Sequence, residues 1–278
     1  MNWLHIHRPK LFSETEYVIL EPSVRRQEWQ QETLKSFPNV RWFTGFEGLK
    51  RKTQNAKLHG VLFSNELLDA FPVRRLGWDA REKKWFEWGI SFDGEKFNWT
   101  RISAPHSALC TPQLDLPTSI SHLPSAFLSV LPDGYIIEHS PGAENWWRAA
   151  AGILSCGKLL AIDYGFTAEE QFSPARLNGT LRAYHRHHVT DDMLAHPGEQ
   201  DLTAHVNFPA IQQAGEETGL ATEIYCTQPQ FLTRILQKAV TKNFFASLDA
   251  KYVRQFQTLT HPEHLGRAFR VLVQSRPQ

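Results

Sequence analysis

The stretch Gly60–Pro72, GVLFSNELLDAFP, decides the fold. Val61, Leu62 and Phe63 form a short, dense apolar run, and polar residues follow at once: Ser64, Asn65, Glu66 and then Asp69. An apolar run bounded by turn-forming residues suits a strand buried on both faces of a parallel sheet. In open α/β sheets, ligands bind just beyond the carboxyl ends of the strands. The run therefore delivers an amide and two carboxylates to the place where such a fold does its chemistry. Glu66 and Asp69 are three apart and share a face if the segment is helical. Pro72 stops that helix early. The plainer alternative is that Ser64 or Asn65 caps the helix and the two acids favour its positive end.

Working outward, Tyr17–Leu20 (YVIL) reads as a buried strand, and Ser23 caps a helix running to about residue 36. Val40–Phe43 is a second short strand. Strand and helix alternate up to Gly60, which argues for a parallel α/β sheet. The pattern then changes. Residues 73–133 carry four of the nine tryptophans, Trp78, Trp85, Trp88 and Trp99, with turn signals at Asp79 and at Asp93-Gly94. They read as a β-rich insertion of hairpin strands over the carboxyl edge of the sheet, with one short helix near 121–130. Most of the tryptophans are expected to be core. Further on, the spacing predicts a helix over 141–155 with Gly157 as its stop and a buried strand over 158–162 ending in Asp163-Tyr164-Gly165. Helices over 208–219, 228–239 and 248–259 follow, with strands over 220–226 and 267–274. The whole chain, 1–278, reads as a single domain with that insertion.

Composition narrows the function. Apolar residues are 41% of the 278, enough for a sizeable core. Charged residues are 21% and the net charge is +1, which gives no reason to expect nucleic acid or an anionic membrane as partner. Cys110, Cys156 and Cys226 form no CxxC pair, so neither a disulfide framework nor a zinc ribbon is implied, and a reducing compartment fits best. No apolar run approaches the roughly 20 residues that span a bilayer.

Three strand ends carry an acid: Glu21, Glu66 and Asp163. An acid at the end of a strand in a nucleotide-binding unit can accept both ribose hydroxyls, and Glu21 is the candidate. The plain alternatives are a helix-start acid beside Pro22 and, at Asp163, a turn whose glycine supplies a positive φ. His185, His187, His188, His196 and His205 invite a metal reading. Adjacent His187 and His188 cannot point the same way on a strand, and no HExxH spacing occurs, so no metal is expected. A Ser-His-Asp hydrolase is excluded by the lack of a GxSxG elbow; Glu138-His139-Ser140-Pro141-Gly142 has no glycine before its serine.

Several long motifs now stand in one order: YVILEPS, GVLFSNELLDAFPV, GKLLAIDYG, GTLRAYHRHH and PGEQDLTAHVNF. In these, from about Tyr17 onward, the chain resembles the MidA-like S-adenosylmethionine-dependent methyltransferases, a family that includes a mitochondrial complex I assembly factor that methylates an arginine. The resemblance implies a class I methyltransferase fold, α/β and Rossmann-like, with a mostly parallel sheet and a last antiparallel strand. It implies S-adenosyl-L-methionine as cofactor, with Glu21, Pro22, Ser23, Ser64 and Asn65 holding it. It implies Asn65, Glu66 and Asp69 as catalytic residues and Asp163, Tyr164, Asp201 and His205 on the substrate side. One departure stands at the front. The family begins with a further strand and a glycine-rich loop that meets the cofactor's carboxylate, whereas here Tyr17 already matches the second strand and no glycine precedes it. The first strand and loop are expected to be missing, and cofactor binding by this chain to be weak.

Two functions from different classes follow. One is protein arginine N-methylation. The other is a noncatalytic binding or assembly module with a methyltransferase-like fold. Either implies a protein as substrate or partner, with a homodimer possible. The expected location is cytoplasmic for a bacterial protein and mitochondrial for a eukaryotic relative.

Overall fold

A computed structural model describes residues 1–54, 57–102, 116–121, 123–186, 188–190, 192–239, 250–263 and 265–277. Its strands, in chain order, are β1 (Tyr17–Leu20), β2 (Val40–Phe43), β3 (Leu58–Asn65), β4 (Arg74–Asp79), β5 (Lys84–Phe92), β6 (Phe97–Arg101), β7 (Ile136–His139), β8 (Leu154–Phe166), β9 (Arg182–His185), β10 (His188–Thr190), β11 (Gln200–Thr203), β12 (Val206–Asn207), β13 (Ala221–Thr227) and β14 (Phe269–Arg276).

The central sheet is built on β8. β3 and β12 lie parallel to β8, while β14 runs antiparallel between β8 and β13. The expected antiparallel last strand is therefore β14. The helices Pro141–Ile153 and Phe208–Glu216 cover one face of this sheet with Ala143, Trp147, Ala150, Ile211 and Ala214, which pack on Leu159, Ala161 and Leu272. Trp147 is fully buried, and its indole N–H donates to Gln274 Oε1 at 2.7 Å, so the largest side chain of this core brings its one polar atom to a partner.

β1 and β2 pair in parallel as a separate two-stranded sheet. No ladder among the described residues joins them to β3. This piece meets the main core through the following helix, Phe46–Lys52, whose Phe46 ring lies 5.4 Å from that of Trp146.

Three expectations are corrected. β3 is not buried on both faces: Val61 is 70% and Phe63 57% exposed on one face, while Leu62 and Ser64 on the other are covered. No helix follows β3; residues 66–73 form a turn instead. Gly157 is not a helix stop either. β8 begins directly after the helix, and at Gly157 (φ +127°) a Cβ would overlap the Gly60 carbonyl of β3. The glycine permits the two strands to approach, and a side chain would also be strained at that φ.

The insertion is a four-stranded antiparallel sheet of order β6-β5-β4-β7. Its own core contains Leu76, Trp78, Trp85, Tyr135 and Ile137, so two of the four tryptophans are core, while Trp88 and Trp99 are half-buried, fewer than the majority expected. β7 completes this sheet, carrying it past residue 133. Where one helix was expected over 121–130 there are two short turns, Thr118–Ser121 and Ser125–Leu128. Cys110 and the residues around it lie outside the described residues, as do 248 and 249 of the expected 248–259 helix, which spans Ala250–Thr260. β9, β10 and β11 form a small antiparallel sheet. No helix among the described residues is long and apolar enough to cross a membrane.

Candidate active site

The turn after β3 is held from a distance. Asp163, on β8 and fully buried, accepts the backbone N–H groups of Leu67 (3.1 Å) and Leu68 (2.8 Å) on Oδ2, and that of its neighbour Tyr164 (2.9 Å) on Oδ1. A carboxylate on another strand thus takes two consecutive N–H groups of the turn and fixes its shape. Glu66 opens the turn at φ +47°, a left-handed conformation uncommon outside glycine, with its N–H donating to Ile162 O at 3.1 Å. Such strain persists where surrounding structure fixes it, and it concentrates at functional sites.

The outcome is a cluster of three carboxyl groups. Glu66 is exposed, and Asn65 Nδ2 donates to its Oε1 at 3.3 Å. Asp69 is buried; desolvation first, then the Glu66 charge, raises its pKa. Burial, then the Asp69 charge, pushes Asp163 up to about 7, although its three N–H donors favour the ionised form. Ser64 is buried with its hydroxyl unpartnered.

Aromatic residues border the acids. Burial and then Glu66, Tyr184, Asp69 and Asp163 raise the Tyr164 phenol. The Tyr164 ring lies 4.0 Å from that of Phe269 and 6.4 Å, nearly parallel, from that of His205. His205 donates its backbone N–H to Thr180 Oγ (3.1 Å). Thr180 in turn donates both its hydroxyl (3.1 Å) and its N–H (2.7 Å) to the buried Glu138 Oε2. Glu138 is on β7 of the insertion sheet, where Arg75 Nε of the facing strand lies 3.6 Å from its Oε1, so the Thr180 bonds tie that sheet to this point. Gly179, at φ +75°, leaves room for the Glu138 carboxylate, which a Cβ would overlap.

The sequence-predicted residues thus separate. Asn65, Glu66, Asp69, Asp163, Tyr164 and His205 come together. Asp163 touches the turn rather than open space, so it positions the other acids. Asp201 is exposed on β11, opposite Tyr184 in the register. His187 lies outside the described residues. His185 stacks on His196 at 4.7 Å, and no group of three or more metal-ligating side chains is assembled among the described residues. Sequence reasoning missed Glu138, Thr180 and Arg176. Thr180 lay inside the GTLRAYHRHH motif, and Glu138 was weighed solely as a hydrolase acid.

Glu21 lies apart, at the carboxyl end of β1. Its Oε1 accepts the Ser23 N–H at 2.9 Å, and its Oε2 receives a long 3.4 Å bond from Gln30 Nε2. Each oxygen keeps acceptor capacity, so the carboxylate fits a ribose diol. Ser23 Oγ is engaged as the cap of the helix Val24–Thr33, accepting from Arg26 N at 3.3 Å.

A family model described as "Putative S-adenosyl-L-methionine-dependent methyltransferase" matches residues 1–226. The chain belongs to this family. A curated relative, the protein arginine methyltransferase NDUFAF7 homolog, mitochondrial, of Drosophila melanogaster, is 27% identical over 222 residues, covering 76% of this chain and 46% of the relative. A COG1565 superfamily member from Burkholderia thailandensis, crystallised with S-adenosyl-homocysteine, superposes with a TM-score of 0.72 at 29% identity, over 94% of this chain and 64% of that one. A native structure of a COG1565 superfamily protein from the same organism gives 0.68 at 29%, over 93% and 65%. The chain spans about half the length of the curated relative and just under two thirds of each solved structure. As a member of the family it has an S-adenosyl-L-methionine-dependent methyltransferase fold, and Glu21 and Asn65 stand at two strand ends of that fold.

Proposed function

We propose that this chain carries the acceptor side of a methyl-transfer site and that the acceptor is a protein arginine. The observation that supports it is the three-carboxyl cluster at the end of β3. A guanidinium is the cation best matched to paired carboxylates, which it meets through parallel N–H donors. S-adenosyl-L-methionine, when bound with Glu21 on its ribose, supplies the electrophilic methyl group. The chain's own residues must bind the acceptor, orient it and remove a proton, because a protonated guanidinium is a poor nucleophile.

Exposed Glu66 grips the incoming cation, held by Asn65. Asp69 takes the proton onto its carboxylate. A base works best with a pKa near the working pH, and burial moves Asp69 in that direction. Asp163 keeps the turn in shape, while Tyr164 walls the site. The name of the Drosophila relative lends the arginine assignment further support.

The test is transfer of labelled methyl from S-adenosyl-L-methionine to arginine-containing peptides and proteins. Label on arginine, lost in Glu66→Gln and Asp69→Asn variants that remain folded, is the expected result. Label on other side chains alone, or full turnover by both variants, would overturn it. A second reading rests on the lack of any ladder joining β1 to β3 among the described residues: a methyltransferase-like module that binds a partner without turnover. Calorimetry with S-adenosyl-homocysteine separates the two, since the module would give no binding heat.

A further inference from the structure

We propose that Arg176 is a positioning residue that fixes His205 as its Nε2–H tautomer, so that a neutral N–H donor is offered beside Tyr164 to a carbonyl oxygen of the peptide substrate. The carbonyl rests on the proposed function above; the tautomer does not.

Arg176 Nη1 lies 3.0 Å from His205 Nδ1. A guanidinium has donors and no acceptor. The contact is therefore a hydrogen bond only if Nδ1 carries a lone pair, which places the ring proton on Nε2. Both partners are held. Arg176 ends the short 3₁₀ turn Pro174–Arg176, and its guanidinium lies 5.0 Å from the centre of the Phe166 ring. The His205 backbone is tied to Thr180, and through it to Glu138. Nε2 has no hydrogen-bond partner among the described residues, and it is not sealed from solvent. It is a polar atom of this assembly that remains open to a ligand.

The electrostatics agree. Burial first, then the charges of Arg176, Arg182 and Arg270, bring the His205 pKa down to about 4, with Glu170 opposing. At neutral pH the ring is uncharged, so it attracts no carboxylate and repels no cation. That is the property required of a group that orients a backbone carbonyl beside a guanidinium. A substrate-side histidine chosen as an acid or base would titrate nearer its ordinary value of about 6.5.

The experiment reads the imidazole nitrogens of the ¹⁵N-labelled 278-residue chain by long-range proton–nitrogen correlation. In the unmodified protein, Nε2 is expected in the protonated range and Nδ1 in the bare range throughout pH 6–8. Arg176→Lys keeps a donor and should keep that pattern. Arg176→Met keeps an apolar stem without the donor; it should give a mixture of tautomers and a titration midpoint raised by at least one pH unit. With an acceptor peptide it should raise KM several-fold and move kcat little. A proton on Nδ1 in the unmodified chain, or an unchanged spectrum in Arg176→Met, overturns the proposal. If Arg176→Met fails to fold, the unmodified and lysine spectra decide. An Nε2–H tautomer in a chain that methylates no arginine would sink the proposed function and leave the Arg176–His205 pairing standing.

Discussion

The central sheet and the β1–β2 ribbon differ in how they are held. β8 and β14 share an eight-residue ladder from Tyr164/Phe269 to Gly157/Arg276, and β14 is buried along six of its eight residues. β1 and β2 share four pairs, and Val40 is the one buried residue among their eight. The first piece carries Asp163 and, through the turn it holds, Glu66 and Asp69. The second carries Glu21. The proposed acceptor side of the site is thus built into the core, whereas the proposed ribose acid stands on a lightly packed ribbon. Preorganised charge is what a transition state needs, so the rigid piece is where the chemical step belongs. The looser piece is suited to ligand capture.

The largest effect that tests this contrast is on stability. Trp147→Ala removes the biggest fully buried side chain of the main core and strands Gln274, and should cost about 3–5 kcal/mol. Ile19→Ala, on half-buried β1, should cost about 1 kcal/mol. Urea unfolding followed by circular dichroism measures both. Equal losses would mean that the ribbon is as integral to the fold as the core.

Next comes chemistry. Asp69→Asn keeps shape and removes the proposed base, so turnover should fall about 100-fold or more, roughly 2.7 kcal/mol in the barrier. Glu66→Gln, acting on grip more than on proton removal, should raise acceptor KM as well. If Asp69→Asn turns over normally, its burial serves the fold alone.

A smaller effect concerns pH. The Asp163 carboxyl holds its proton more tightly in the folded chain, about 7 against the ordinary 3.8. The folded state therefore binds more protons between these values, and stability should decline as pH rises from about 4 to 7. Its contribution is full below pH 4 and lost above 7. A tenfold change in proton affinity is about 1.4 kcal/mol, so the decline should reach at least that. Asp163→Asn should flatten it. An unchanged pH profile in this variant would show that Asp163 is ionised in the fold across the range, held by its three N–H donors.

Much of this was legible in the sequence where neighbours decide the outcome. β1 and β2 match YVIL and VRWF residue for residue, because a short apolar run between turn signals has few alternatives. Glu21 and Glu66 at strand ends were legible for the same reason, whereas Asp163 lies inside β8, which runs on to Phe166. What failed depended on distant partners. SNELLD reads as a helix start, but the segment is a turn tied to Asp163, about 95 residues away. VLF reads as doubly buried until the face carrying Val61 and Phe63 is found uncovered. Arg176 carries no local signal; its partner His205 is 29 residues on and meets it across the fold. Gly157 looked like a helix stop because the overlap that demands it is with Gly60, on another strand.

The smallest expected effect falls on the ribbon itself. Glu21→Ala removes the carboxylate proposed to accept the ribose hydroxyls, together with its bonds to Ser23 and Gln30. A net hydrogen bond is worth about 1 kcal/mol, so affinity for S-adenosyl-homocysteine should drop about fivefold by calorimetry. Because β1 contributes no fully buried residue, the global unfolding midpoint should barely move. Amide exchange should quicken locally, at residues 21–30, where the lost acceptors had held the start of the helix. The two readouts divide the possibilities. Unchanged affinity with quicker exchange would make Glu21 a structural cap at the head of the helix. A shift in global unfolding like that of Trp147→Ala would contradict the contrast between ribbon and core. Lost affinity with an unmoved global transition would place ligand capture on the loosely held piece and leave the rigid one to the acceptor.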